Sequence, residues 1–241
     1  MRRAIIGLIA VCVLATAGSE AALAADIPVY KARPAPVALA YNWTGFYLGA
    51  HVGYGWARNT WTDPFGPPFD HGTDTGTGWL GGLQLGYNHQ IGNFVLGIEG
   101  QYSWAKLEGS HNDPFEPADV LKTKTHYLAT IAGRIGYAFD RTLIYGKGGW
   151  ARVRNGYAKV DLGIIEGLAN TTRSGWILGA GAEYAFMPNW SVRLEYNYFN
   201  FGTNRVTLID PTGGPPELWD MKQTVQTLTV GVNYKFMSAF H

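Results

Sequence analysis

From residue 43 onward, apolar and polar positions alternate with a period of two in eight separate segments. Such alternation is typical of β-strands that have one face in an apolar environment and the other in a polar one. In residues 46–56 the even positions are Phe, Leu, Ala, Val, Tyr and Trp, whereas the odd positions, apart from Tyr47, are Gly or His. The pattern predicts strands within residues 43–56, 83–88, 96–104, 127–139, 142–151, 176–186, 190–198 and 228–236.

The segments between these predicted strands have two distinct lengths. Short turns at residues 90–93, 140–141 and 187–189 alternate strictly with polar connectors of about twenty residues. This order is typical of an up-and-down barrel with tight turns at one end. The predicted fold class is therefore all-β, an eight-stranded antiparallel up-and-down barrel. An even strand number brings both chain ends to the side of the short turns.

The placement of aromatic residues indicates which face of the barrel points outward. They lie mainly at the ends of the apolar stripes, with small aliphatic residues between them, and two such girdles suit the two interfaces of a bilayer. A soluble barrel such as a lipocalin alternates in the same way but turns its apolar face inward around a ligand. We therefore predict a transmembrane barrel. Its girdle residues are Phe46, Tyr54, Trp56, Trp104, Tyr127, Tyr137, Phe139, Trp176, Phe186, Trp190 and Tyr234.

The opposite face of the strands carries acids and bases, which can neutralise one another inside a narrow lumen. Eight strands leave room for side chains only, and this favours a lumen filled by interlocking ion pairs. The alternative is a small porin in which the same residues set ion selectivity. The predicted lumen charge network comprises Glu99, Arg134, Lys147, Glu183, Arg193, Glu195 and Lys235.

The first residues have the features of a secretory signal peptide. Two arginines precede an apolar run, and Ala22-Leu23-Ala24 supplies small residues at the positions that signal peptidase reads. Cleavage after Ala24 removes Cys12, the single cysteine, so the exported chain has no disulfide. It also leaves 17 basic and 17 acidic residues, without the basic excess expected of a nucleic-acid-binding protein. Beyond it, no uncharged apolar run approaches the ~18 residues of a transmembrane helix.

Composition agrees with a folded β protein. Apolar residues make up 46% of the chain and charged residues 15%, which is too apolar for intrinsic disorder. Glycine, at 32 residues, and aromatic residues, at 14%, are abundant. The predicted organisation is a signal peptide at 1–24, a proline-containing periplasmic linker at 25–42, the barrel at 43–236 and a short extension at 237–241.

Three segments resemble a known family. Asn42-Trp43-Thr44-Gly45-Phe46-Tyr47-Leu48-Gly49, residues 190–196 and residues 230–236 are similar to the opening, penultimate and closing strands of small porin-like outer-membrane proteins of alpha-proteobacteria, often labelled outer-membrane immunogenic proteins. The similarity covers nearly all of residues 25–236. It implies an outer-membrane location, contact with outer-membrane lipid and lipopolysaccharide, and insertion by the barrel-assembly machinery. That machinery reads a terminal aromatic, but here five residues follow Phe236. Either Phe236 is read as an internal signal, or the extension slows insertion.

The sequence offers little support for an enzyme. No two histidines have the close spacing of a metal-binding pair, and only His51 faces the predicted lumen. Ser103, Ser110 and His111 are placed near one rim, without a spacing that fixes a nucleophile and its base. We therefore assign no catalytic, metal or cofactor-binding residue.

The predicted role is a structural or surface-exposed envelope protein, with a small porin as the alternative. A soluble ligand-binding barrel and an outer-leaflet lipid-modifying enzyme are further alternatives. Long connectors bearing Trp61 and the Asp63-Pro64-Phe65, Asp113-Pro114-Phe115 and Asp210-Pro211 segments could bind envelope or host-surface partners.

Overall fold

A computed structural model describes residues 41–62, 70–112, 119–161, 164–209, 213 and 215–236. The predicted signal peptide, most of the predicted linker and the residues after Phe236 lie outside the described residues, as do the three Asp-Pro segments. Within these ranges the secondary structure consists of eight long strands and contains no helix suited to crossing a membrane. The strands are β1 (Gly45–Thr62), β2 (Asp70–Ile91), β3 (Phe94–Asn112), β4 (Asp119–Phe139), β5 (Thr142–Asp161), β6 (Ile164–Ala185), β7 (Trp190–Leu208) and β8 (Glu217–Lys235).

The eight strands form one closed antiparallel barrel, which confirms the predicted fold class. Each strand pairs with its neighbours in sequence order, and β1 closes the ring by pairing with β8 from Tyr47↔Lys235 to Thr62↔Asp220. Closure leaves no edge strand, so the backbone groups of every strand are satisfied within the sheet. This is the condition that a sheet must meet to cross a lipid bilayer.

The three short turns lie at one end of the barrel, here called the turn end. The β2–β3 and β4–β5 connections contain two residues each, and Gly92 and Asp140 adopt positive φ values of 60° and 52° there. Such left-handed positions are typical of tight hairpins, in which glycine, asparagine and aspartate are favoured. Residues 186–189 form the third turn, as the sequence predicted.

The strands are longer at the opposite end, here called the loop end, than the sequence analysis predicted. Much of each predicted twenty-residue connector continues the barrel, and Trp61, predicted in a connector, lies in β1 with its side chain fully buried inside. A strand of 20 residues, such as β5, spans about 65 Å and rises about 50 Å at a tilt of about 40°, roughly twice the ~25 Å apolar band of an outer-membrane barrel. The loop-end half therefore extends beyond such a band.

The outer surface of the turn-end half is apolar. Phe46, Val52, Ile98 and Leu178 expose 56–61% of their surface although they lie in regular strands. On β8 the outward positions change from Val232, Val230 and Leu228 to Gln226, Thr224 and Lys222 as the strand approaches the loop end. The apolar outer band thus ends about halfway along the barrel.

The interior consists of apolar layers that alternate with polar ones. The turn-end apolar layer contains Trp43, Val95, Ala138, Leu143, Tyr145 and Ala185. The central apolar layer contains Ala57, Leu80, Ala105, Leu107, Leu128, Ala132, Ala151, Val153, Ile177, Phe199, Phe201 and Val225. The loop-end apolar layer contains Trp61, Leu121, Tyr157, Val206, Leu208, Trp219 and Met221.

Candidate functional site

Six of the seven predicted lumen charges lie together between the turn-end and central apolar layers. Glu99, Arg134, Lys147, Glu183, Arg193 and Glu195 are all buried, although they come from five strands, β3 to β7. They form the charge layer. Their inward orientation follows from the period of two, because the residues on either side of each in its strand point outward.

Glu99 joins three cations in this layer. Its carboxylate accepts hydrogen bonds from Arg193 Nη1 at 2.5 Å and Lys147 Nζ at 3.1 Å, and Arg134 Nη1 lies 3.6 Å away. The hydroxyl of Tyr47 also donates to it at 2.8 Å. Bonds from several strands therefore meet on one carboxylate.

Glu195 provides a second connection across the lumen. Lys147 Nζ donates to it at 2.7 Å, and Tyr145 and Asn197 donate at 2.7 Å and 2.9 Å. Lys147 is thus held between two carboxylates, 2.7 Å from one and 3.1 Å from the other.

Glu183 accepts hydrogen bonds from Arg134 Nη2 at 3.0 Å, from Ser191 at 2.5 Å and from Asn233 at 2.7 Å. The Arg134 guanidinium also stacks 3.9 Å from the centre of the Tyr145 ring. The charge layer contains three carboxylates and three cations, so its formal charge is zero. All six residues are at most 4% exposed.

Lys235 was predicted to belong to this network, and the structure contradicts that prediction. Its side chain is half-buried at the turn end, where the ammonium donates to the carbonyl oxygen of Asn42 and lies 4.1 Å from the centre of the Tyr41 ring. Because Lys235 is the last residue of β8, it reaches the segment that precedes β1 instead of the middle of the barrel. It links the end of β8 to the segment before β1 at the turn end.

A histidine and a serine meet beside the charge layer. His51 is buried, its Nδ1 lies 2.7 Å from Gln84 Oε1, and its Nε2 lies 2.8 Å from Ser103 Oγ. Ser103, predicted near a rim, lies deeper, inside the barrel beside His51. The distance between Ser103 and His51 is that of a catalytic nucleophile and its base, but the Gln84 amide lies where a catalytic triad has a carboxylate.

A second polar layer, between the central and loop-end apolar layers, was missed by the sequence analysis. Asp74 accepts hydrogen bonds of 2.6 Å from both Asn59 and Thr123. Arg173 is buried and donates to the carbonyl oxygen of Met221 at 3.0 Å. These residues fell within predicted connectors. The alternation of inward Ala57, Asn59 and Trp61 with outward Arg58, Thr60 and Thr62 was the signal that could have placed them.

The predicted girdle residues lie on the outside of the barrel in two bands. Near the turn end, Trp190 packs on Tyr234 and Tyr137 on Phe139, with ring centres 5.1 Å and 4.7 Å apart. The same band contains Phe46 and Phe186, both exposed. About halfway along the barrel, ring centres lie 5.1–5.6 Å apart within a second band that comprises Tyr54, Trp56, Trp79, Tyr102, Trp104, Tyr127, Trp150, Trp176 and Tyr198.

Among the described residues, no three His, Cys, Asp or Glu side chains are placed to hold a metal ion. His126 lies within β4 at a register shift and points outward. The backbones of His71 and His111 belong to β2 and β3.

Comparison with known proteins places this architecture in a family. Residues 9–236 match the family model of the outer membrane protein beta-barrel domain. The chain is 33% identical over 241 residues to the 31 kDa outer-membrane immunogenic protein of Brucella melitensis biotype 1, covering 90% of this chain and 95% of the relative. It is 33% identical over 171 residues to the 22 kDa outer membrane protein of Rhizobium leguminosarum bv. viciae, with 70% of each covered.

Solved structures support the fold alone. The outer membrane protein OprG of Pseudomonas aeruginosa superposes with a TM-score of 0.50 at 11% identity, covering 81% of this chain and 99% of that one. The outer membrane protease OmpT of Escherichia coli gives a TM-score of 0.51 at 9% identity, covering 82% and 99%. Neither identity is high enough to transfer an activity.

Proposed function

The chain belongs to the outer membrane protein beta-barrel domain family and is an outer-membrane protein. We propose that it is a surface-exposed structural protein, and that its own side chains fill the barrel and prevent solutes from passing. The turn end is then periplasmic and the loop end extracellular, since short turns face the periplasm in such barrels. The observation that carries the proposal is the filling of the lumen by successive buried layers.

The central apolar layer opposes conduction most directly. Its twelve buried side chains come from all eight strands and lie across the lumen at one level. An ion that entered this layer would lose its hydration shell without gaining polar partners, at a cost of several kcal/mol. Packing of this kind also stabilises the barrel in the absence of a disulfide.

The charge layer supports the same role. In a porin, charged side chains face water and select among passing ions. Here each carboxylate of the layer is occupied by side chains from other strands, as at Glu99 and Glu195. Such a layer ties the barrel walls to one another, and a narrow porin is the weaker alternative.

An enzymatic role is not part of the proposal. The Ser103–His51 pair lies in the closed lumen, where a lipid or peptide substrate would have to displace the packed core. A loop-end site of the kind expected of an outer-leaflet lipid enzyme would need an exposed nucleophile hydrogen-bonded to its base. Ser110 and His126 line the same loop-end groove, but among the described residues no hydrogen bond joins a serine to a histidine there.

We also propose that the barrel-assembly machinery reads Phe236 as an internal signal. Its ring is 44% exposed on the outer surface at the turn end and packs on Tyr234 at 5.3 Å. Its backbone N–H donates to the carbonyl oxygen of Phe46 at 2.9 Å, which fixes it at the seam between the last and first strands.

Conductance of the purified protein in planar bilayers tests the closed lumen. The expected result is no stepwise current from protein whose folding is confirmed by heat-modifiable gel mobility. A general porin reconstituted by the same procedure serves as the positive control. Reproducible single-channel steps from the folded protein would overturn the proposal in favour of the small porin.

A further inference from the structure

A basic strip lies on the outer surface just beyond the loop-end aromatic band. It consists of outward-facing side chains on three adjacent strands: Lys106 on β3, Lys122, Lys124 and His126 on β4, and Arg152 and Arg154 on β5. Arg152 and Arg154 follow Trp150 by two and four residues, about 7 Å and 13 Å along the strand. The strip therefore begins where the membrane-facing surface ends.

Charge on the strip is strongly unbalanced. Glu108, the acidic side chain described there, pairs with Lys124 at 2.7 Å in a solvent-exposed ion pair. The five lysine and arginine residues of the strip exceed this one carboxylate by four positive charges. Cations spaced along one wall at a membrane interface attract anionic lipid headgroups.

A groove adjoins these cations. It has a volume of about 570 Å³ and lies over β5, lined by Lys122, Lys124 and His126 of β4 on one side and Leu168 and Asn170 of β6 on the other. Glu108, the partner of Lys124, also lines it. Gly156 forms part of its floor, and a Cβ at that position would come within 3.2 Å of His126 Nε2 and 3.3 Å of Asn170 Oδ1. The glycine keeps the groove open between polar side chains.

The turn end has no comparable feature among the described residues. Its β4–β5 turn carries Asp140 beside Arg141, so that the two charges offset each other. The unbalanced cations thus lie on the extracellular side of the membrane, where the leaflet is built from phosphorylated glycolipid.

We propose that the basic strip and its groove form a binding site for the phosphate groups of lipopolysaccharide in the outer leaflet. Arg152 and Arg154 lie nearest the membrane and contact the phosphates next to the acyl chains. Lys122 and His126 extend the contact into the groove. The site goes beyond the structural role proposed above and does not depend on whether the lumen conducts.

Titration of lipopolysaccharide against the full-length barrel in nanodiscs of zwitterionic phospholipid tests the site. We expect intact lipopolysaccharide to bind at least about ten-fold more tightly than the same material after removal of its phosphates. The double variant Arg152→Gln/Arg154→Gln should lose about ten-fold in affinity for the intact form.

The matched control removes two outward cations at a similar level on the other wall, Arg58→Gln/Lys222→Gln. We expect less than a two-fold change, because these residues lie on β1 and β8, away from the strip. Equal losses in the two double variants would mean diffuse attraction and would overturn the site.

Two further outcomes would also overturn it: equal binding of dephosphorylated lipopolysaccharide, and binding of inorganic phosphate as tight as that of lipopolysaccharide. Should the double variant fail to fold, as judged by gel mobility, the single variants Arg154→Gln and Lys122→Gln give the same test with smaller expected losses. Conductance measured on the same preparations reports separately on the closed lumen.

Discussion

Removal of the Glu195 carboxylate is the sharpest test of the charge layer. Glu195 is fully buried and accepts hydrogen bonds from Lys147, Tyr145 and Asn197. In Glu195→Gln, three cations face two carboxylates, and one positive charge remains buried without compensation. Loss of one partner from a buried ion pair costs about 3–5 kcal/mol, and we expect a decrease of that size in the free energy of unfolding.

A double-variant cycle separates the ion pair from general packing. Lys147→Met alone leaves a carboxylate uncompensated, whereas Glu195→Gln/Lys147→Met restores a neutral layer. We expect the double variant to lose at least about 1 kcal/mol less than the sum of the two single losses. Urea unfolding in lipid vesicles, followed by tryptophan fluorescence and by heat-modifiable gel mobility, measures all three.

The matched control is Asp220→Asn in an exposed ion pair of the loop end. Arg205 binds the Asp220 carboxylate through two hydrogen bonds of 2.9 Å and 3.0 Å, and the hydrogen bonding lowers the pKa of that carboxyl group. Because solvent screens this pair, its loss should leave the unfolding midpoint near that of the wild type. Similar midpoints for Glu195→Gln and the wild type, or strictly additive losses in the cycle, would refute the interlocked charge layer.

Two further predictions concern the membrane face and assembly. Val230 is 49% exposed, pairs with Val52 and Leu194, and faces lipid near the middle of the band. Val230→Arg should therefore lower the free energy of unfolding by about 2–4 kcal/mol. Thr229 faces the packed lumen opposite Gly53, so Thr229→Arg should prevent folding. Urea unfolding in vesicles measures the first variant and heat-modifiable gel mobility the folding of the second, and equal tolerance of the two would mean that the faces are wrongly assigned. Phe236→Ala should slow insertion by the barrel-assembly machinery, whereas Phe240→Ala should not; pulse-chase gel mobility follows both, and the reverse order would assign the signal to the extension.

The alternation of side chains was sufficient to predict the strand number, the barrel closure and the inward direction of residues such as Glu99 and Arg193. A period of two assigns each residue to a face, and an apolar surrounding makes the two faces chemically distinct. The sequence could not show which ions pair, because partners such as Arg193 and Glu99 lie on strands that are not neighbours and meet only across the lumen.

Strand length was underestimated for a physical reason. Beyond Trp56 the surroundings change from lipid to water, so the outward residues become polar and the inward ones apolar. On β1, Arg58 faces outward and Trp61 inward, the opposite of the pattern at Phe46 and His51. Because the apolar residues move from the outward to the inward positions along a single strand, the pattern of outward apolar residues stops there. The rest of the strand then looks like a polar connector in the sequence. Lys235 was wrongly assigned to the charge network for a related reason. The alternation correctly places it on the inner face, but it does not show how far along the barrel axis a residue lies.

The loop-end half of the barrel has polar outward side chains like those of a water-soluble protein, whereas the turn-end half has the apolar outer surface of a membrane protein. A lysine introduced at an outward position is tolerated there, as at Lys122 and Lys222, whereas the same substitution at Leu228 would enter hydrocarbon. The described strand ends at the loop end lie roughly 25 Å above the lipid. Large partners can therefore approach these strand ends without touching the bilayer.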